Sequence, residues 1–192
     1  WEGKGMWSRL KYTGLAIGIV SLFLIFAFQL LEEYSWKSWN LPLSGKVIIL
    51  DPGHGGPDGG AVVDGVVEKD IALSIAHKIR DYLQEQGALV ILTREEDEDL
   101  AGDVEGYRAR KRVDLKNRLE LINESQADLF LSIHLNAFPS SSSSGAQTFY
   151  TLRYKENKWV ATLIQDELKD NLENTKRVAK SIDHVYVLKH AK

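Results

Sequence analysis

Two histidines and a glutamate have the residue types of a catalytic metal site, although they lie far apart in the sequence. His54 follows the apolar run Val47–Leu50 in a glycine-rich turn, His134 ends the apolar run Leu129–Leu135, and Glu68 precedes a helical pattern. Two imidazoles and one carboxylate form a known ligand set for catalytic zinc, which keeps a further position open for water. Such a metal lowers the pKa of its water to near 7 and polarises a carbonyl, which suits amide hydrolysis.

The spacing of these residues leaves alternatives open. His54 is also interpreted as a core histidine at a tight turn, and Glu68 as an ordinary first-turn acid favoured by the helix dipole. The compact motif His-Glu-x-x-His does not occur in the sequence. Iron and manganese fit the same ligands as zinc. Because the chain has no cysteine, disulfides and thiolate ligands are excluded, and a transition metal must use histidine and carboxylate ligands.

Alternating strand and helix patterns predict that these residues meet at one edge of a sheet. The runs Val47–Leu50, 88–92 and Leu129–Leu135 are typical of strands buried on both faces. Apolar residues at helical spacing separate them, over 72–83 and over 115–122. The pattern predicts an α/β fold with a mainly parallel sheet and helices on both faces. Right-handed crossovers place the ends of the first and third strands at the same edge, where ligands bind.

Other stretches predict the remaining elements. Residues 95–118 are charge-dense, first acidic and then basic, and are typical of a solvated surface excursion. A substrate-facing role for the basic half is the alternative. Asp114 suits the amino cap of the helix that follows. Residues 160–168 predict another amphipathic helix, Val185–Leu188 one more strand, and Ser140–Ser144 a flexible loop.

The first residues of the chain predict a membrane anchor. Tyr12–Leu31 carries no charged residue and has about the length of a membrane-spanning helix. Basic residues precede this run and two glutamates follow it, which predicts a cytoplasmic amino end and an exported domain. The end of the run is a poor cleavage site, which favours an uncleaved signal anchor. We expect a cytoplasmic tail over 1–11, the anchor over 12–31, a linker over 32–45 and the catalytic domain over 46–192.

Length and charge limit the class of partner. The 192 residues suffice for one α/β domain with an appendage. The net charge is −3, from 24 basic and 27 acidic residues. This balance indicates no polyanion-binding surface, so we expect no nucleic-acid partner.

Four motifs occur in a fixed order along the predicted domain. They are Ile49-Leu50-Asp51-Pro52-Gly53-His54-Gly55-Gly56, Glu68-Lys69-Asp70, Leu92-Thr93-Arg94 and Ser132-Ile133-His134-Leu135-Asn136-Ala137. In this order they resemble the zinc-dependent N-acetylmuramoyl-L-alanine amidase family of bacterial cell-wall hydrolases. The short anchor and the segment 36–43 resemble the germination-specific branch of that family in endospore-forming bacteria.

This resemblance implies a ligand set and a reaction. His54, Glu68 and His134 correspond to the zinc ligands of the family, whose fold is a mixed α/β sheet flanked by helices. The implied reaction is hydrolysis of the amide bond between the lactyl group of N-acetylmuramic acid and the L-alanine of the peptidoglycan stem peptide. In the germination-specific branch it strips peptides from spore cortex, after which a deacetylase acts on the product. The implied location is extracytoplasmic, on the cell-wall side or in the forespore intermembrane space.

One departure from the family concerns its catalytic glutamate. Family members carry it in a run like Leu-Val-Glu-x-Gly-Phe-Leu-Ser-Asn, shortly after the segment matched here by residues 185–192. The glutamate is therefore expected beyond Lys192, and no residue of this chain is assigned the catalytic role. We expect a fragment whose fold continues past this point. The alternatives are an inactive zinc-containing module that docks on peptidoglycan or a partner, and a different metallohydrolase on the same sheet.

Overall fold

The computed structural model describes residues 3–39, 41–135 and 144–192, so most of the predicted serine loop lies outside it. Helix α1 (Gly3–Trp39) comes first, followed by β1 (Val47–Pro52), β2 (Val62–Val63), β3 (Val66–Val67), α2 (Glu68–Glu85) and β4 (Leu89–Leu92). The second half contains α3 (Tyr107–Glu124), β5 (Leu129–Ile133), β6 (Phe149–Tyr150), α4 (Lys155–Leu172), β7 (Lys180–Ser181) and α5 (Tyr186–His190).

Three parallel strands form the central sheet, in the order β4-β1-β5. Ile48 of β1 pairs with Val90 on one side and with Leu129 on the other. The register of β1 with β5 continues to the pair Pro52 and Ile133, so the two strands end at the same level. The predicted parallel α/β sheet is confirmed, and so is the shared edge at which the two histidines follow their strands.

The middle strand β1 is buried on both faces, as its unbroken apolar run predicts. Ile48 and Leu50 pack in one apolar cluster with the inner face of α2. Ile49 points to the opposite face and packs with Ile122 of α3 and Val187 of α5. Helices therefore cover both faces of the sheet, and the carboxyl end of β1 is anchored in the core of the domain.

Helix α3 differs from the sequence prediction in its start and in its burial. It begins at Tyr107, and Asp114 lies buried inside it rather than at its amino cap. The predicted cap was wrong because Asp114 pairs one turn later with Arg118, at 3.0 Å between Oδ2 and Nε. The prediction of a solvated excursion was also wrong at these two residues, which are buried, whereas Arg112 is exposed.

The segment Val185–Leu188, predicted as the beginning of a strand, leads into a short helix instead. The backbone N–H groups of Lys189 and Ala191 donate to the carbonyls of Val185 and Val187, which is the helical pattern. Val187 is buried against the sheet. Because so short an apolar run suits a buried helix as well as a buried strand, packing decided between them.

Helix α1 contains the apolar run from which the anchor is predicted. Tyr12–Leu31 has a mean hydropathy of 2.4, and none of it is buried. In the described ranges it is the helix that is long and apolar enough to cross a membrane. The helix continues to Trp39, so much of the predicted linker is helical, since the linker contains no glycine or proline before Pro42.

Candidate metal centre

His54 reaches the site from the turn after β1. Its backbone φ is 62°, in the left-handed region that few residues other than glycine adopt. The His54 carbonyl accepts a hydrogen bond from Arg118, at 2.6 Å from Nη2. Its ring lies between two carboxylates, with Nε2 3.3 Å from Glu68 Oε1 and Nδ1 3.0 Å from Asp58 Oδ2. The turn therefore holds an imidazole at the sheet edge in a defined orientation.

Glu68 is the first residue of α2 and is 6% exposed. Its Oε2 accepts a hydrogen bond from the backbone N–H of Ala61, and its Oε1 accepts one from Leu135, each at 2.8 Å. Burial raises the pKa of the Glu68 carboxyl, but these two hydrogen bonds and nearby His54 outweigh it, so the pKa lies below its usual value. A buried carboxylate that stays ionised is suited to a cation.

His134 follows β5 and completes the group. Its Nδ1 lies 3.1 Å from Glu68 Oε1, and its ring meets that of His54 edge-on at 5.0 Å between centroids. One candidate ligand atom from each of the three side chains lies within 4.8 Å of the others. The His134 side chain is 43% exposed, so the group opens to solvent on this side. The structure thus brings together all three residues singled out from the sequence.

Two glycines provide the space for these side chains. A Cβ at Gly53 would lie 2.6 Å from His134 Nδ1, and a Cβ at Gly60 would lie 2.7 Å from Glu68 Oε2. A side chain at either position would therefore displace a candidate ligand. This close backbone approach, together with two imidazoles and an ionised carboxylate, fits a metal ion of the zinc type.

Two buried arginines, to which the sequence analysis gave no role, hold the His54 turn in place. Arg94 donates to the carbonyls of Pro52 and Gly53, each at 3.0 Å. Arg118 donates to the carbonyls of Pro52, at 2.9 Å, and of His54. Arg94 and Arg118 are only 2% and 1% exposed. Guanidinium groups from the loop after β4 and from α3 therefore fix the path of the chain from β1 to the imidazole.

Asp51, at the end of β1, balances the charge of Arg118. Its Oδ1 lies 2.7 Å from Arg118 Nη1 and accepts a hydrogen bond from Thr93 Oγ1, while Oδ2 accepts one from Ser132 Oγ. Burial raises the pKa of the Asp51 carboxyl, but the Arg118 charge and these hydrogen bonds outweigh it, so the pKa lies below its usual value. One carboxylate therefore ties β1 to β5, to α3 and to the end of β4.

The remaining histidines do not join this group. His77 lies with Nε2 3.1 Å from the carbonyl of Glu95, His190 contacts the ring of Tyr186, and His184 is exposed. An open cavity of about 380 Å³ lies between β5, β6, α4 and α5, away from the three candidate ligands. The candidate site is therefore identified by its side chains, and it does not coincide with this cavity.

Comparisons with known sequences identify similar proteins. Residues 48–192 match the family model Amidase_3, described as N-acetylmuramoyl-L-alanine amidase. The chain is similar to the germination-specific N-acetylmuramoyl-L-alanine amidase of Bacillus subtilis (strain 168), with 55% identity over 186 residues that cover 96% of this chain and 78% of the relative. The amidase LytC of the same organism is 37% identical to this chain. The match covers 79% of this chain and 28% of LytC.

Solved structures of similar proteins have the same fold. The CwlD amidase from Clostridioides difficile, in complex with the GerS lipoprotein, matches with a TM-score of 0.73 and 44% identity over 76% of both chains. The catalytic domain of CwlV, from Bacillus (Paenibacillus) polymyxa var. colistinus, matches with a TM-score of 0.64 and 28% identity, over 77% of this chain and 75% of that chain. The segment matched by the family model includes the elements that carry all three candidate ligands.

Proposed function

Because this chain belongs to the N-acetylmuramoyl-L-alanine amidase family, we propose that it hydrolyses the amide bond between the lactyl group of N-acetylmuramic acid and the L-alanine of the peptidoglycan stem peptide. The observation that carries this proposal is the convergence of His54, Glu68 and His134 at one edge of the sheet. The identity of 55% to a germination-specific amidase supports a role in spore germination, and the resemblance to that branch implies cortex peptidoglycan as the substrate. It also favours an enzyme over the inactive module considered above.

His54, Glu68 and His134 are the ligands of one zinc ion in this proposal. Bound zinc supplies a Lewis acid that polarises the scissile carbonyl and lowers the pKa of a water ligand to near 7. The backbone N–H groups of Ala61 and Leu135 keep the Glu68 carboxylate from rotating. Since the His134 side is open to solvent, the lactyl-alanine bond approaches from there.

The proton of the attacking water also needs an acceptor that later returns it to the leaving amine. The resemblance assigns this role to a glutamate of the family, and we assign no residue of this chain to it. General acid–base catalysis of this kind contributes about 10² to 10⁴-fold to the rate.

We also propose that Tyr12–Leu31 anchors the protein with its domain outside the cytoplasm. The apolar length of this run and the basic residues before it support the proposal. Peptide-free cortex is then the product that a deacetylase uses, and a lipoprotein like the one seen with CwlD is a further candidate partner. Protease treatment of intact cells tests the placement, and protection of the domain would contradict it.

The enzymatic proposal is tested by digesting cortex peptidoglycan with the protein purified from its host. We expect new amino-terminal L-alanine to appear in the presence of zinc and to disappear with a chelator. His134→Ala should abolish the release, whereas His184→Ala, at an exposed histidine away from the site, should leave it unchanged. Binding to insoluble peptidoglycan without any release of amino termini would instead support the inactive module.

A further inference from the structure

The side of the His54 ring that faces away from Glu68 is held by Asp58, with 3.0 Å between Nδ1 and Oδ2. The turn itself places this carboxylate beside the ring. Gly55 and Asp58 exchange two backbone hydrogen bonds, of 3.0 and 3.1 Å, which close the loop between the two side chains. The backbone alone therefore fixes the position of Asp58 relative to His54.

Helix α3 fixes the orientation of the Asp58 carboxylate. Oδ2 also lies 2.9 Å from Lys111 Nζ, and Oδ1 accepts hydrogen bonds from Tyr107 Oη at 3.0 Å and from the backbone N–H of Gly60 at 3.2 Å. Tyr107 and Lys111 are one helical turn apart and so reach the same point. With donors on both oxygens, the carboxylate cannot rotate away from the imidazole.

We propose that Asp58 is a positioning residue that selects the His54 tautomer with the proton on Nδ1, and that Tyr107 and Lys111 hold it in place. A neutral imidazole carries one proton, and the nitrogen without it is the one that can bind a metal. When Nδ1–H donates to Asp58, the Nε2 lone pair faces Glu68 and the metal position. In the other tautomer, Nε2–H donates to Glu68 Oε1. His54 Nε2 and Glu68 Oε1 are then bonded to each other instead of facing a metal.

This inference rests on the proposed role of His54 as a metal ligand, and zinc affinity is its first test. The whole chain in detergent is titrated with zinc in competition with a chromophoric chelator. Partners that orient a ligating histidine are worth about 10- to 100-fold in affinity, so Asp58→Ala should weaken zinc binding by about that factor. Asp64→Asn is the control, because this exposed carboxylate lies in the same segment outside the contact with His54.

The supports on α3 are tested in the same titration. Lys111→Met and Tyr107→Phe should each weaken zinc binding by about 2- to 10-fold, less than the loss of Asp58 itself. Lys116→Met on the same helix is the matched control, because Lys116 pairs with Glu120 on the surface. Tyr107→Phe removes only one hydroxyl and keeps the test valid should Asp58→Ala fail to fold.

The position of the proton on the His54 ring is a second test, because a purely structural role of Asp58 would not change it. Long-range ¹H–¹⁵N spectra of metal-free protein distinguish the two tautomers of His54. We expect the proton on Nδ1 in the parent protein and a shift towards Nε2 in Asp58→Ala. If the parent binds zinc and Asp58→Ala has the same zinc affinity and the same His54 tautomer, the inference is overturned while the proposed function stands. Failure of the parent to bind zinc would instead overturn the proposed function.

Discussion

His54 and His134 follow two neighbouring parallel strands, yet the protein holds them very differently. The His54 side chain is 16% exposed against 43% for His134. The turn that carries His54 is bound through its carbonyls by Arg94 and Arg118. Among the described residues, His134 is held by its hydrogen bond to Glu68, by its edge-on contact with the His54 ring and by packing over Gly53.

This contrast separates two tasks within one site. The end of β1 belongs to a buried charge network that also stabilises the fold, because Asp51 and Asp114 both pair with Arg118 inside the domain. The end of β5 contributes a candidate ligand, His134, whose side chain is partly open to solvent. Substitutions at the end of β1 should therefore affect folding and metal binding together, whereas substitution of His134 should affect metal binding alone.

The largest expected effect is the loss of bound metal in His134→Ala. Two remaining ligands rarely hold zinc in a catalytic site, so stoichiometric zinc should disappear after dialysis. The free energy of unfolding of the metal-free protein should change by less than about 1 kcal/mol, because this side chain is partly exposed. Metal analysis and urea unfolding measure the two quantities. Retention of one zinc per chain would show that the ligand set is wrong.

The next effect is a loss of stability in Arg118→Met, which removes the α3 guanidinium that contacts the end of β1. Removing one partner of a buried ion pair costs about 3 to 5 kcal/mol, because Asp51 and Asp114 would remain buried without their cation. Urea unfolding should show this loss, and the exposed Arg112→Met on the same helix should change stability by less than about 0.5 kcal/mol. Equal stability of the two variants would contradict the view that the end of β1, unlike the end of β5, belongs to a network that stabilises the fold.

A smaller effect is expected for Ser132→Ala, on the β5 side of the same network. The variant removes one hydrogen bond, of 2.8 Å, from Ser132 Oγ to the Asp51 carboxylate. Hydrogen bonds to charged groups contribute about 1.5 to 3 kcal/mol, and we expect the lower end because Asp51 keeps its other donors. The control is Ser181→Ala, at an exposed position in β7. If the two serine variants unfolded at the same urea concentration, the bond would carry no stability.

The smallest effect near neutral pH is the pH dependence that comes from Asp51. Its folded pKa is lowered by Arg118 despite the opposing effect of burial. A lowered folded pKa contributes stability that is present above the unfolded pKa of about 3.9 and lost as pH falls through the folded value. The stability difference between the parent and Asp51→Asn should therefore be constant from pH 7 to about 5 and narrow below about 4. A difference that grew as the pH fell would contradict the pairing.

Local patterns were sufficient to predict the elements that carry the three candidate ligands. The apolar runs that became β1 and β5 are each followed by a histidine, and the apolar stripe of α2 begins just after Glu68. The parallel sheet followed from the alternation of strands and helices. The convergence of the three side chains then required only that both strands end at the same edge, which their register confirms.

Burial of charge could not be predicted in the same way. Arg118 pairs with Asp51 from 67 positions away, and neither residue belongs to a local pattern that reveals the other. A dense run of charges therefore suggested a solvated surface, although the run contains Asp114 and Arg118. One usable signal was the position of Thr93-Arg94, directly after β4 at the same sheet edge as His54. A second usable signal was Asp58, which lies four residues after His54.

The register between β1 and β5 also determines where this domain tolerates changes in length. Asp51 stands opposite Ser132, and Pro52 opposite Ile133. Since side chains alternate along a strand, one inserted residue in β5 would send His134 to the opposite face and part Ser132 from Asp51. Strands β2 and β3 pair antiparallel as a hairpin, and its exposed tip is not constrained by such a register. Insertions and deletions should therefore accumulate at that hairpin, while the number of residues between Leu129 and His134 stays constant.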